Sequence, residues 1–385
     1  MTTQQTRPSL DDPRIAIPAA SEWYEPAPTA QTERQAEFLN LRDGEMFVNM
    51  GPQHPSTHGV LRIVVKVNGE QVVDLDPVLG YLHRGVEKLC ENADYHQCIS
   101  QVDPLEYVSS LFSEWAFVQG AEKLLDVQVP RRAEYIRVLS SELLRVQSHA
   151  LFMGWMALDL GGLTPILYSF IERDEIVEML AALTGQRMLF NYMRIGGVNG
   201  DLNHEFMSRL GNWMSRAAAQ IDSNTGLINE NELFVRRTRG LGTLDRATAL
   251  RMGVTGPNLR ATGVPFDLRR DRPYLVYPEL EFDIPTREEG DSLARYMVRI
   301  DEIRESIRII DQVLMIKLGD MGQSQMMTTK IKGFDKFSLV VEAGGADHLV
   351  FKHAVTRMPQ AIIAGLQQSD LPTRFKQYFS QFDAK

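Results

Sequence analysis

The stretch Met50-Gly51-Pro52-Gln53-His54-Pro55-Ser56-Thr57-His58-Gly59 constrains this chain more than any other. Two prolines fix φ and remove backbone donors, and two glycines permit turns that other residues resist, so it cannot lie inside a helix. It carries two of the eight histidines, with Ser56 and Thr57 between them. The run Val60 to Val67 behind it reads as a strand. A rigid loop mounted on a sheet and rich in hydroxyl and imidazole groups suits a polar head group or a proton. The bland alternative is a surface turn with both histidines solvated.

Around that loop, Phe47 to Asn49, Val60 to Val67 and Val72 to Leu75 predict a small antiparallel sheet, with Asn68-Gly69 as the hairpin signal. Pro77 predicts a turn, and helix begins at about Leu82. Apolar spacing predicts helices over Pro104 to Leu125, Pro130 to Leu160, Thr164 to Thr184, Asn203 to Ser223 and Glu288 to Lys317. Tyr107 falls on the first of these stripes, where a core position is the ordinary reading. Ile195 to Gly200 reads as a glycine-rich loop, and 229–285 as irregular. Lys330 to Val341 predicts a strand pair, and 350–380 a helix or two. The fold class is mainly α with a small antiparallel β element, an α+β helix bundle. Its divisions are an extended arm (1–43), the sheet with its loop (44–80), a helical core (81–318) and a tail (319–385).

A chain of 385 residues can bury a sizeable core. Its net charge of −9, without a basic block, argues against nucleic-acid binding. The two cysteines, Cys90 and Cys98, fit neither a CxxC metal pair nor a disulfide framework, and a reduced cytoplasmic setting is the default. No apolar leader or bilayer-length run is read, so membrane association is expected through partner chains. Gly240-Leu241-Gly242 lacks the third glycine of a dinucleotide loop. His204-Glu205 is followed by Ser208 rather than a second zinc histidine. Walker A and GxSxG patterns are missing.

Several motifs in register resemble the D-subunit family of respiratory NADH–quinone oxidoreductase, complex I, whose mitochondrial form is the 49-kilodalton subunit. They are Gly51 to Arg62, Gly80-Tyr81-Leu82-His83-Arg84-Gly85, Asp159 to Pro165, Arg194-Ile195-Gly196-Gly197, and Leu259-Arg260-Ala261-Thr262-Gly263. The resemblance runs from about Met46 to about Ile316. It implies the fold of the nickel–iron hydrogenase large subunit without that enzyme's two CxxC pairs. Thiolates are the ligands such metal chemistry requires, so their absence argues against hydrogenase activity by itself.

The resemblance implies quinone reduction, coupled to proton translocation, in an enzyme active only as an assembly. Electrons arrive from a 4Fe–4S cluster held by an iron–sulfur B-type partner; this chain binds none alone. C-type and I-type hydrophilic subunits and an H-type membrane subunit are the other implied partners. The implied place is the cytoplasmic side of the inner membrane. Carried over by position, His58 and Tyr107 meet the quinone, and Asp159 pairs with His58. His54 supports the loop, and Arg84 stands near the cluster, where its charge would raise the potential; the ordinary alternative is an ion pair with Glu87. Two-electron reduction places negative charge on both quinone oxygens, so proton donors within hydrogen-bond reach are what the chemistry needs.

Two departures stand out. Where many members carry a titratable histidine beside the cluster, this chain has Leu189, which predicts a potential nearly independent of pH. After about residue 318 no family motif is found; His348 and His353 stand in none. Two other readings stay open: a non-catalytic scaffold within the same assembly, and a ferredoxin-fed relative.

Overall fold

The computed structural model describes residues 37–314, and the backbone of 330–334, 338–343 and 346–351. The arm at 1–36 and the predicted helices of the tail lie outside the described residues.

Strands β1 (Glu45–Met50), β2 (Arg62–Asn68) and β3 (Gln71–Val78) form an antiparallel sheet in that order. Asn68 pairs with Gln71, so the turn residues are Gly69 and Glu70 rather than Asn68-Gly69. Gly69 supplies the positive φ the turn needs. Pro77 continues β3 opposite Ile63 instead of opening a turn. This is tolerated because β3 is an edge strand and the missing N–H faces no partner. Lys66 is buried in the sheet and reaches Glu45 at 3.1 Å.

Helix begins later than expected, at α1 (Val86–Glu91), followed by α2 (Tyr95–Val102) with a full capping box from Asp94 and Gln97. The predicted helix from Pro104 is shorter. Asp103–Glu106 is a 3-10 turn, Tyr107 caps it, and α3 runs only over Ser110–Leu125. Tyr107 is therefore not core: it is 47% exposed.

Helix α4 (Arg131–Asp159) is the axis of the molecule. Every residue from Tyr135 to Leu144 is buried, so over that stretch no face of the helix meets solvent. It packs along α5 (Leu163–Thr184) and α11 (Ser292–Val313). Gly185, at φ 80°, ends α5 as its position predicts. The expected glycine loop is a two-rung hairpin, β4 (Met193–Arg194) and β5 (Gly197–Val198). Arg137 fastens it to α4 by donating to the carbonyls of Arg194 and Gly197.

Helix α6 (His204–Asn229) outruns its prediction and packs on α5 and α11. The irregular stretch holds short helices α7 (Glu232–Thr238), α8 (Arg246–Arg251), α9 (Gly256–Arg260) and α10 (Leu268–Asp271). In the tail, β6 (Lys330–Phe334), β7 (Ser338–Ala343) and β8 (Ala346–Phe351) make a three-stranded antiparallel sheet, one strand more than expected.

Candidate functional site

The loop between β1 and β2 is held by its own residues. Thr57, 3% exposed, turns its hydroxyl inward to donate to the carbonyls of Pro52 and His54. Gly51 has φ 85°, and a Cβ there would lie 2.0 Å from the carbonyl oxygen of Leu61, so only glycine lets the loop close on β2. Pro55–Thr57 forms a 3-10 turn capped by His54, whose Nδ1 accepts the Ser56 N–H at 3.2 Å. His58 follows in the left-handed conformation, φ 52°.

That turn delivers His58 to the C-terminal end of α4. Its Nε2 lies 3.9 Å from Asp159 Oδ2. This is a charge contact rather than a direct hydrogen bond, and both side chains are about a third or more exposed. The imidazole also stands edge-on to Trp155, ring centroids 4.2 Å apart. A helix C-terminus and a carboxylate both favour a cation at this spot. A hollow of about 750 Å³ opens here, lined by Gln53, His54, Pro55, His58, Gly59 and Trp155.

The structure thus brings together His58, Asp159 and His54. It does not bring Tyr107 into that lining. Tyr107 projects from the turn before α3, and its neighbour Val108 is tied to α4 by Gln147 Nε2 at 3.0 Å. Gln147 precedes Trp155 by eight residues, roughly 12 Å of helical rise, so the two candidate donors approach from different levels of α4. Arg84 makes no ion pair with Glu87. It donates to the carbonyl of Gln101 at 3.0 Å, fixing the segment before α1 against α2.

Sequence reading missed Trp155. The signal available was its place four residues before Asp159, on one helix face, but an aromatic on a long helix ordinarily reads as core. Around Arg84 and on α5, Leu79, Tyr81, Leu82, Tyr95, Leu163 and Leu167 are exposed large apolar side chains. Among the described residues, no helix is long and apolar enough to cross a membrane, and no group of three or more His, Cys, Asp or Glu is placed to hold a metal ion.

The family described as respiratory-chain NADH dehydrogenase, 49 Kd subunit, matches residues 159–363. That match extends beyond residue 318, where the motif resemblance stops. The D subunit of NADH-quinone oxidoreductase from Carboxydothermus hydrogenoformans is 46% identical over 274 residues, covering 71% of this chain and 75% of the relative. The D subunit from Clostridium beijerinckii is 46% identical, with 71% and 74% covered. The second of the D subunits from Sinorhizobium medicae is 45% identical over 280 residues, with 73% and 69% covered.

Proposed function

Because this chain belongs to the family of the 49-kDa or D subunit of respiratory NADH–quinone oxidoreductase, we propose that it supplies the quinone-reducing site of that assembly. Membership makes it a subunit of complex I in the respiratory electron-transport chain. The finer role is read from its residues. The observation that carries it is the meeting of His58, Asp159 and Trp155 at the open end of α4.

In this reading a quinone carbonyl oxygen enters the hollow beside His58. The quinone gains two electrons and two protons to become the quinol. His58 gives a proton to one oxygen, and Tyr107, half exposed, gives its phenolic proton to the other. The exposure of Tyr107 suits a group completed only when a ligand and a partner chain cover it. Asp159 balances the imidazolium before transfer. Afterwards it is a carboxylate without its counter-charge, and enclosure by partners makes that costly. That cost is our candidate for the link to proton translocation.

A 4Fe–4S cluster on the iron–sulfur partner would supply the electrons. Such a cluster takes four thiolates, and this chain has two cysteines, of which Cys98 is buried with its thiol on the Cys90 carbonyl. The same donor set suits a hydrogenase-type helical bundle that has lost its metal ligands. Arg84 and the exposed Leu79, Tyr81, Leu82 and Tyr95 are where we seat the iron–sulfur partner. The hydrophilic and membrane partners, and attachment to the cytoplasmic face of the inner membrane, belong to the same reading.

The test is Tyr107→Phe in the assembled complex. Removing one proton donor should cut quinone turnover by about 100-fold and leave assembly intact. Unchanged turnover would return Tyr107 to a scaffold role.

A further inference from the structure

Behind Tyr107 lies a carboxyl pair that the site does not use. Asp103 opens the 3-10 turn that ends at Tyr107 and is 2% exposed; Glu114, in the first half of α3, is fully buried. Both grip the segment entering β4. Asp103 Oδ2 accepts the Asn191 N–H at 3.2 Å, and Glu114 Oε2 accepts the N–H groups of Tyr192 and Met193 at 2.7 and 2.8 Å. Each carboxyl then has one oxygen left. Asp103 Oδ1 and Glu114 Oε1 are buried, and among the described residues no donor reaches either. The two side chains are within hydrogen-bonding reach of one another.

Two ionised carboxylates cannot satisfy each other, since both only accept. The nearby cation does not resolve this. Arg194 feels both carboxylates, but among the described residues it makes no ion pair with either. Its Nη1 is spent on Asn191 Oδ1 and the Met193 carbonyl. Glu106, on the same turn, is occupied by Val108 and Ser109. Farther along α3, Glu122 is neutralised by Arg137. One proton held between the two carboxyl groups supplies the donor that the pair lacks.

We propose that Asp103 and Glu114 share one proton, and that this singly protonated pair is the positioning device that holds the 191–193 segment to the Tyr107 turn. The proposal rests on the reading of Tyr107 as a quinone donor. Loss of the proton sets two buried carboxylates against each other and loosens the clamp, so quinone turnover acquires an alkaline limb that is not the phenol's own. Burial first, and the Asp103 charge second, push the Glu114 carboxyl up to about 8. The folded chain therefore holds a proton that the unfolded chain releases near 4.5. The stabilisation is complete below that lower value and is lost as pH rises through about 8.

The experiment uses Glu114→Gln in the assembled complex. The amide still accepts from Tyr192 and Met193, and donates to Asp103 at every pH. Wild-type turnover should fall about tenfold per pH unit above pH ~8, while the variant keeps neutral turnover within about twofold and its limb moves up by about one unit or more. An alkaline limb unmoved by the variant overturns the proposal. Infrared spectra of the wild-type complex at neutral pH should show a buried protonated-carboxyl band that Glu114→Gln removes; no such band also overturns it. The infrared result needs no quinone, so it separates this proposal from a failure of the Tyr107 assignment. Should Glu114→Gln fail to assemble, Asp103→Asn poses the same question from the other side of the pair.

Discussion

One helix carries two kinds of polar site. In the middle of α4, Glu142 is sealed in the core. It accepts from Arg145 at 3.0 Å, Arg269 at 3.2 Å, the Tyr277 hydroxyl at 2.5 Å and the Ser306 hydroxyl at 2.7 Å. Beside it Glu302 takes His149 and Arg260, each at 2.7 Å. At the end of the same helix, Asp159 meets His58 at 3.9 Å and stands open to solvent. The difference separates two duties. Saturated, buried pairs lock α4, α10 and α11 into one register, and breaking them leaves buried charge. A slack, half-exposed pair contributes little to the fold and can exchange its partner for a ligand.

Removing Glu142 tests the sealed side most severely. Glu142→Gln takes the charge partner from Arg145 and leaves Arg269 with Asp267 alone, and thermal or denaturant unfolding should show a loss of about 3–5 kcal/mol. Burial alone would raise this carboxyl, but Arg145 and Arg269 outweigh it and hold it down at about 2. The stabilisation is thus present above the ordinary value of 4.5 and is lost as pH falls toward 2. The variant should flatten stability across that acid window, which a series of melts would reveal.

Next in size is Gly51→Ala. A side chain at φ 85°, aimed at the Leu61 carbonyl, should cost about 1–3 kcal/mol and displace His58. Hydrogen exchange should speed up in the loop and remain unchanged in α4.

On the open side, Asp159→Asn should slow quinone turnover about tenfold, a barrier increase of about 1.4 kcal/mol. Its unfolding free energy should change by no more than about 1 kcal/mol, because the pair is exposed. A stability loss as large as that of Glu142→Gln would erase the distinction between the two sites.

The smallest expected effect is a flat line. Leu189 cannot titrate, so redox titrations of the partner's cluster should give a potential nearly independent of pH. Leu189→His should introduce a slope.

Much of the fold was legible in the residues alone. Prolines and glycines announced the loop, because few conformations admit them, and a continuous apolar periodicity announced α4 and α5. His58 and Asp159 stand 3.9 Å apart although a hundred residues of chain separate them, and only the motif resemblance, not spacing, suggests that they pair. Tyr107 was misplaced because its apolar spacing was counted through Pro104, where the chain makes a 3-10 turn instead. Pro77 signalled a turn because nothing local says that its strand lies at an edge. The Asp103–Glu114 pair was invisible for a different reason. Its members sit on separate elements, and their partners are backbone groups of a third, so no spacing encodes them.

The most direct test of the whole account is His58→Ala in the assembled complex. Paramagnetic resonance should show the partner's cluster still reduced by the electron donor, while quinone turnover falls about 100-fold. Turnover equal to wild type, with the complex intact, would contradict it.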